Sequence, residues 1–338
     1  MSAAASPRVA IVGCGLIGRK RASALAGARL VGCADTDLDR ATTLAQGGID
    51  VRPTADWRTV VDRPDVDIVI VATTNDNLAE IARAAVLAGK HVMVEKPGGR
   101  TAAEIDAVID AAQRSRRLVR VGFNHRYHPA LRKARALVDT GELGDLMFVR
   151  GRYGHGGRVG YEKEWRANAA VAGGGELIDQ GVHLIDLSRW FLGELTAVSG
   201  FAHTYFWNMG VDDNAFLLLR TPHDRAAFLH VSCTEWKNLF SLEIYGRDGK
   251  LHVEGLGGSY GVERLTHYRM LPEMGPPETT SWEYPGMDRS WAAEFEEFLE
   301  DIRLERPPAA SLSDARAALA IVEEIYRQSS AAAGASAR

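Results

Sequence analysis

The apolar run Val9-Ala10-Ile11-Val12 enters the glycine turn Gly13-Cys14-Gly15-Leu16-Ile17-Gly18, and residues that favour helix follow from Leu16 through Leu25. Strand, tight turn and helix in that order open a βαβ unit and restrict the rest of the chain to folds that accept parallel strands. Leu30-Val31-Gly32-Cys33-Ala34 supplies the next strand and ends at Asp35, after which Leu38 to Leu44 takes up helical spacing. The third apolar segment, Ile68-Val69-Ile70-Val71-Ala72, is rich in β-branched residues, as expected where helices cover both sheet faces. Ala79–Leu87 reads as a helix, His91–Val94 and Leu118–Val121 as two further strands, and Ala102–Ala112 as the helix between them. The alternation predicts an α/β fold with a doubly wound parallel sheet over about 120 residues.

After Gly122 the pattern changes. A helix over Leu131–Val138 leads into the turn Thr140-Gly141-Glu142-Leu143-Gly144. Strands then follow without intervening helices at Leu146–Tyr153, Ala197–Phe206, Ala215–Arg220, Ala226–Thr234 and Ser241–Tyr245, with Asp248-Gly249 as a hairpin turn. Helices are expected at Glu176–Phe191, Trp291–Ile302 and Ala315–Tyr326. A chain of 338 residues with 46% hydrophobic side chains supports two cores. The expected division is 1–123 and 124–330, the second an α/β domain with a large open, mainly antiparallel sheet. Ser329–Arg338, mostly Ala and Ser, has little to bury, so 331–338 is expected to be a disordered tail, and Met1–Pro7 a loose one.

Composition narrows the function classes. Forty basic against forty-four acidic residues leave a formal charge of −4, which offers no electrostatic footprint for nucleic acid or anionic lipid. No apolar run approaches the roughly 18 to 20 residues that cross a bilayer. Three cysteines at wide spacing suggest neither a disulfide framework nor a zinc site and fit a reducing cytoplasm.

The glycine turn matches G-x-G-x-x-G, a pattern that is common by chance; its context is not. It follows a strand, opens a helix, and is answered about 20 residues on by Asp35 at the end of the next strand. Gly13 permits the tight turn, Gly15 leaves room for a pyrophosphate to reach the backbone N–H groups around Leu16 and Ile17, and Gly18 lets helix and strand pack closely. Asp35 can accept hydrogen bonds from a ribose diol and would repel a 2′-phosphate, which favours NAD over NADP. Glu95-Lys96-Pro97 lies at the carboxyl edge of the sheet, where ligands of open α/β folds bind, although a Glu-Lys pair alone reads equally as a surface ion pair. In Gly173-Gly174-Gly175-Glu176-Leu177-Ile178-Asp179-Gln180-Gly181-Val182-His183, Asp179 and His183 stand at i, i+4, with Asp186 three residues further on. A helix-surface hydrogen bond would explain that pair by itself. Together with a nucleotide fold and a sheet-edge lysine, it supplies proton-transfer groups beside a cofactor site.

These segments, with Val71-Ala72-Thr73 and Gly122-Phe123-Asn124-His125-Arg126-Tyr127-His128-Pro129, resemble the Gfo/Idh/MocA (glucose-fructose oxidoreductase and inositol dehydrogenase) superfamily of NAD(P)-dependent oxidoreductases over nearly the whole chain. The resemblance implies a Rossmann domain over 1–123, and over 124–330 a substrate-binding domain whose open sheet mediates homodimers or homotetramers. It implies Lys96, Asp179 and His183 as catalytic residues. Cofactor contacts are implied for Gly13, Gly15, Leu16, Ile17, Gly18, Asp35, Thr73, Thr74, Asn75, Glu95, Lys96 and Asn124. Substrate contacts are implied for Lys96, Arg126, Tyr153, Trp165, Asp179 and His183. One departure is that Thr73-Thr74-Asn75-Asp76-Asn77-Leu78 lacks the histidine many members have after this strand. The implied activity is NAD-dependent hydride transfer at a secondary alcohol or ketone carbon of a sugar, amino sugar, nucleotide sugar or cyclitol. A redox-assisted glycosidase and a non-catalytic NAD-binding sensor are the alternatives. The basic stretch Arg150, Arg152, Arg158, Lys163 and Arg166 reads either as a contact for an anionic sugar or as a solvated face. His125, His128 and His155 lack zinc-ligand spacing, so no metal is expected. Tyr205, Phe206, Trp207, Trp236 and Phe240 either wall the sugar site or, the preferred reading, pack an interface.

Overall fold

The computed structural model describes residues 6–336. The first of two compact units contains the described residues up to Phe123 together with Trp291–Ala317. Its elements are β1 (Arg8–Val12), α1 (Leu16–Ala22), β2 (Arg29–Ala34), α2 (Leu38–Ala45), β3 (Arg52–Thr54), α3 (Trp57–Val61), β4 (Ile68–Val71), α4 (Asn75–Leu87), β5 (His91–Glu95), α5 (Ala102–Ser115) and β6 (Val119–Gly122). The strands form one sheet in the order β3-β2-β1-β4-β5-β6, parallel throughout, which is the order of doubly wound dinucleotide folds. Strand β3 has no counterpart in the sequence reading. It is three residues long, carries Pro53, and sits at the sheet edge, where a missing N–H costs no ladder bond. Helix α1 ends at Ala22, short of the expected Leu25.

The second unit contains Asn124–Ser290 and the chain from Ala318 on. After a 3-10 turn at Asn124–Tyr127 come α6 (Pro129–Asp139), β7 (Leu146–Gly154), α7 (Ala169–Ala172), a π-helical turn at Leu177–Gly181, α8 (Val182–Leu192), β8 (Ala197–His203), β9 (Asn214–Arg220), β10 (Ala226–Ser232), β11 (Leu239–Gly246), β12 (Gly249–Glu254), β13 (Glu263–Arg269) and β14 (Glu278–Tyr284). The eight strands order as β14-β13-β12-β11-β7-β10-β9-β8, and only the β7–β10 pair is parallel. One face is apolar and buried through Ala215, Leu217, Leu229, Val231, Leu242 and Ile244. Gly151 in β7 lets α8 come close, since a Cβ there would press on Leu184, Leu229 and Leu242 at 3.1 to 3.3 Å. Strands β13 and β14 (ERLTHYR and ETTSWEY) escaped the sequence reading because they are mostly polar, and β12 (GKLHVE), which follows the expected hairpin turn, was not read as a strand either. Strand β8 stops at His203 rather than Phe206, and the β11–β12 turn falls on Arg247-Asp248, with Gly249 already in β12.

Helices α9 (Ser290–Leu304) and α10 (Leu312–Ser336) end the chain. The expected division at 124–330 placed α9 with the second sheet. Instead Phe295 and Phe298, 1% and 0% exposed, join the core made by Val9, Ile11, Ile68, Ile70 and Met93. Burying each such ring contributes about 1.5–3 kcal/mol. Val121 N–H also donates to the Ala310 carbonyl (3.0 Å), tying the following segment to β6. The tail expected to be disordered over 331–338 is helical through Ser336, because alanine is the best helix former and simply extends α10. Residues 1–5 and 337–338, where the rest of the two expected tails falls, lie outside the described residues.

Candidate active site

In the first unit the glycine turn can be tested residue by residue. Gly13 has φ +92°, and a Cβ there would strike the Ala72 carbonyl of the adjoining β4 end. A Cβ on Gly18 would strike the Gly13 carbonyl, so these two glycines are fixed by packing. Gly15, in contrast, has nothing within 4 Å of a built Cβ, and Leu16 beside it is 64% exposed. The turn thus leaves open space over Gly15 and Leu16 at the start of α1, room for a pyrophosphate to approach the backbone. Asp35 braces it: one carboxylate oxygen accepts from Cys14 N–H (2.7 Å), the other from Asp37 N–H (2.9 Å). A carboxylate has about four acceptor sites, so two remain, the number a ribose diol requires. The residues present therefore fit the adenosine diphosphate part of NAD.

The β4–α4 connection places Thr73 and Thr74 partly exposed and Asn75 buried at the start of α4. Thr74 Oγ1 donates to Asp76 (2.6 Å), and Asn77 Nδ2 donates to the same carboxylate (2.8 Å). Lys96 is half-buried at the end of β5, and its peptide bond to Pro97 is cis. Glu95, expected to touch the cofactor, turns its carboxylate elsewhere: it accepts from Arg21 Nε at 2.6 Å.

In the second unit the expected α-helix over Glu176–Phe191 begins instead with the π turn, a distortion that recurs at functional sites. The segment entering it is anchored by two glycines and one remote aspartate. Asp212 accepts from Gly175 N–H (2.9 Å) and Leu177 N–H (2.8 Å), and its own carbonyl accepts from Glu176 N–H (2.9 Å). Tyr326 Oη donates to the same carboxylate (2.7 Å). A Cβ on Gly175 would strike the Asp212 backbone and one on Gly174 the Tyr326 phenol, so only glycine admits this anchor. Burial raises the Asp212 carboxyl above its usual range despite these donors.

On that anchored turn Asp179 is half-buried and accepts from Arg166 Nε (3.0 Å), while His183, two residues into α8, is 3% exposed. The His183 ring lies 3.7 Å from that of His125, tilted by 34°. Tyr153 stands 6.1 Å from His183 and 5.1 Å from His125, with Phe240 and Tyr260 completing the wall. Burial pushes the Tyr153 phenol well above its ordinary value, so it stays a hydrogen-bond donor. Trp165 is half-buried with the Arg166 guanidinium 4.6 Å from its ring.

Two residues expected to contact ligand also make bonds within the second unit. Arg126 is buried in a two-pronged ion pair with Asp186 (2.8 and 2.5 Å), which absorbs both residues into the support beneath the site. The Asn124 amide donates to Ser290 Oγ (2.9 Å). Three members of the basic stretch are paired, Arg150 with Glu243, Arg158 with Glu164 and Arg166 with Asp179. Phe240 is buried beside the histidines, whereas Tyr205, Phe206 and Trp236 are 62%, 55% and 75% exposed. Among the described residues no group of three or more His, Cys, Asp or Glu is placed to hold a metal ion, and His128 is buried against Glu263 (2.9 Å).

Two family models match consecutive stretches: an oxidoreductase family with an NAD-binding Rossmann fold over residues 7–123, and a GFO/IDH/MocA C-terminal domain over residues 131–252. The chain belongs to the Gfo/Idh/MocA superfamily. Among its Gfo/Idh/MocA relatives, levoglucosan dehydrogenase of Pseudarthrobacter phenanthrenivorans is 38% identical over 45% of this chain and 40% of its own length. Inositol 2-dehydrogenase 2 of Saccharopolyspora erythraea is 29% identical over 87% of this chain and 80% of that protein. A levoglucosan dehydrogenase structure in complex with NADH and levoglucosan superposes with a TM-score of 0.86 at 25% identity, covering 95% of this chain and 97% of that one. An aldose-aldose oxidoreductase from Caulobacter crescentus, complexed with glycerol, gives 0.84 at 27% identity over 96% and 97%.

Sequence reasoning missed Asp212 and Tyr326 as the anchor of the π turn, and His125 as the neighbour of His183. The glycine run before Glu176 was the available signal for a close backbone approach there.

Proposed function

We propose that this Gfo/Idh/MocA protein is an NAD-dependent dehydrogenase acting on a secondary alcohol of an uncharged sugar or cyclitol. The observation that supports it most is the buried His183 imidazole set one turn from the half-open Asp179 carboxylate on a segment anchored by Asp212. That is the equipment for taking a proton from a hydroxyl and passing it outward. When bound, the nicotinamide supplies the hydride acceptor. His183 takes the hydroxyl proton as the hydride leaves. The Lys96 ammonium stabilises the developing alkoxide, an effect worth on the order of a few kcal/mol. Asp179, held by Arg166, orients the imidazole or grips a neighbouring hydroxyl, and Tyr153 closes the apolar side. The glycine turn holds the pyrophosphate and Asp35 the adenosine ribose, which supports NAD rather than NADP. The pairing of Arg150, Arg158 and Arg166 with carboxylates supports a neutral substrate.

Phe148, Phe201, Leu218 and Phe228 are 38% to 52% exposed, and strand register places all four on one face of the second sheet. An apolar area of that kind supports a homo-oligomer joined through this face. Three buried, unbridged cysteines support a reducing compartment such as the cytoplasm. Among the described residues no helix is long and apolar enough to cross a membrane. The test is NADH absorbance with a panel of neutral sugars, cyclitols, uronates and nucleotide sugars against NAD and NADP. Net NADH formation with a neutral member supports the reading; turnover restricted to charged members, or elimination without net reduction, overturns it.

A further inference from the structure

Arg21 stands one turn after Gly18 on α1 and is 1% exposed. Its guanidinium serves two carboxylates: Glu95 on β5, at 2.6 Å from Nε and 2.5 Å from Nη2, and Glu294 on α9, at 2.7 Å from Nη1. Trp291 covers it, with its ring 4.5 Å away. Gly122 of β6 lies opposite Glu95 in the register, and a Cβ there would press on Arg21 Nη2 at 2.7 Å and on both Glu95 oxygens at 3.1 Å. Four elements thus close on one cation, which joins the helix of the glycine turn to the residue directly before Lys96.

The cluster has a charge problem. Two carboxylates against one guanidinium leave an uncompensated negative charge, and burying one is costly. The groups facing Glu294 are Arg21 from α1, Glu95 from β5 and Arg120 from β6; burial and Glu95 outweigh the two arginines and push its carboxyl up to about 7. A proton on Glu294 restores neutrality.

We propose that Arg21, Glu95 and Glu294 form a proton-linked positioning cluster, in which the proton on Glu294 tunes cofactor affinity and the Arg21–Glu95 bond holds the strand end that presents Lys96. This rests on the dehydrogenase reading above for the role of Lys96. The sign follows from charge. Losing the Glu294 proton adds a negative charge to the cluster built on α1, the helix that the glycine turn opens, so NADH affinity falls as pH rises through neutrality, and by reciprocity NADH binding takes up a proton.

The test is NADH fluorescence titration from roughly pH 5.5 to 8.5 on wild type and Glu294→Gln, which keeps the shape and removes the titration. Wild type should weaken by about fivefold across that range, the low end of typical coupling, and Glu294→Gln should stay flat near the low-pH wild-type value. A second variant, Arg21→Lys, cannot serve both carboxylates in the same geometry. It should lower kcat about tenfold while KM for NAD moves less than threefold, and Arg21→Met should lower kcat further. A flat wild-type titration, a slope that survives in Glu294→Gln, or kcat and KM moving together in Arg21→Lys would overturn the proposal. If the wild-type slope is present but no sugar or cyclitol is oxidised, the dehydrogenase reading fails and the proton linkage stands.

Discussion

Replacing Asp35 by asparagine perturbs the proposed cofactor site at its most legible point. The carboxylate accepts from Cys14 N–H at 2.7 Å and Asp37 N–H at 2.9 Å, leaving two acceptor positions for the ribose hydroxyls. An asparagine has a single acceptor oxygen, and its NH2 group must face a donor on one side. Each ribose bond then changes from charge-assisted, at about 1.5–3 kcal/mol, to neutral or absent, at about 0–1.5 kcal/mol. Two such bonds at a half-exposed site lose about 2 kcal/mol, which corresponds to roughly a 30-fold rise in the NADH dissociation constant. NADPH should not suffer in the same way, because the charge that repels its 2′-phosphate has gone. Fluorescence titration with both nucleotides reads the two constants. A change below about threefold for NADH with the NADH/NADPH preference intact would refute the ribose assignment and the argument for NAD.

Further outcomes follow from the same geometry. Gly15→Ala points its methyl into open space, so it should fold normally and bind NADH more weakly; Gly18→Ala, which meets the Gly13 carbonyl, should lose stability by thermal melt before any binding is measured. Arg126→Met should destabilise the protein by about 3–5 kcal/mol in urea unfolding because it removes the two-pronged cation from buried Asp186, and adding Asp186→Leu should recover most of that loss. The Glu294 carboxyl, near 7 in the folded protein against an ordinary 4.5, makes wild-type stability relative to Glu294→Gln fully present below about pH 4.5 and lost as pH rises through about 7. The total is about 3 kcal/mol, read as the pH dependence of urea midpoints in the two proteins.

The parallel sheet was legible because its strands are short buried apolar runs between helix-forming stretches, as in Ile68–Val71. Arg52-Pro53-Thr54 and the polar β13 and β14 carry no such signature; their pairing is decided by neighbouring strands rather than by their own residues. The same limit holds in the site. Asp179 and His183 stand four residues apart on one segment and were visible. The Asp212–Tyr326 bond spans 114 positions and the Arg21–Glu294 pair 273, and nothing local in the sequence couples them. The tie between Arg126 and Asp186 was hidden for a related reason: the motif shows a charge, while the carboxylate that takes two of its five N–H donors lies 60 positions away. Helices α9 and α10 read correctly as amphipathic, yet periodicity says which face of a helix is apolar and not which core receives it.

In the proposed dehydrogenase, Lys96 and His183 do the chemistry on a sugar or cyclitol hydroxyl. The most direct measurement is the rate of NADH formation by wild type, Lys96→Ala and His183→Ala on one oxidised substrate, with NADH affinity measured alongside. Each substitution should cut kcat at least about 100-fold while the dissociation constant for NADH stays within about threefold. Near-normal turnover in both variants would contradict it.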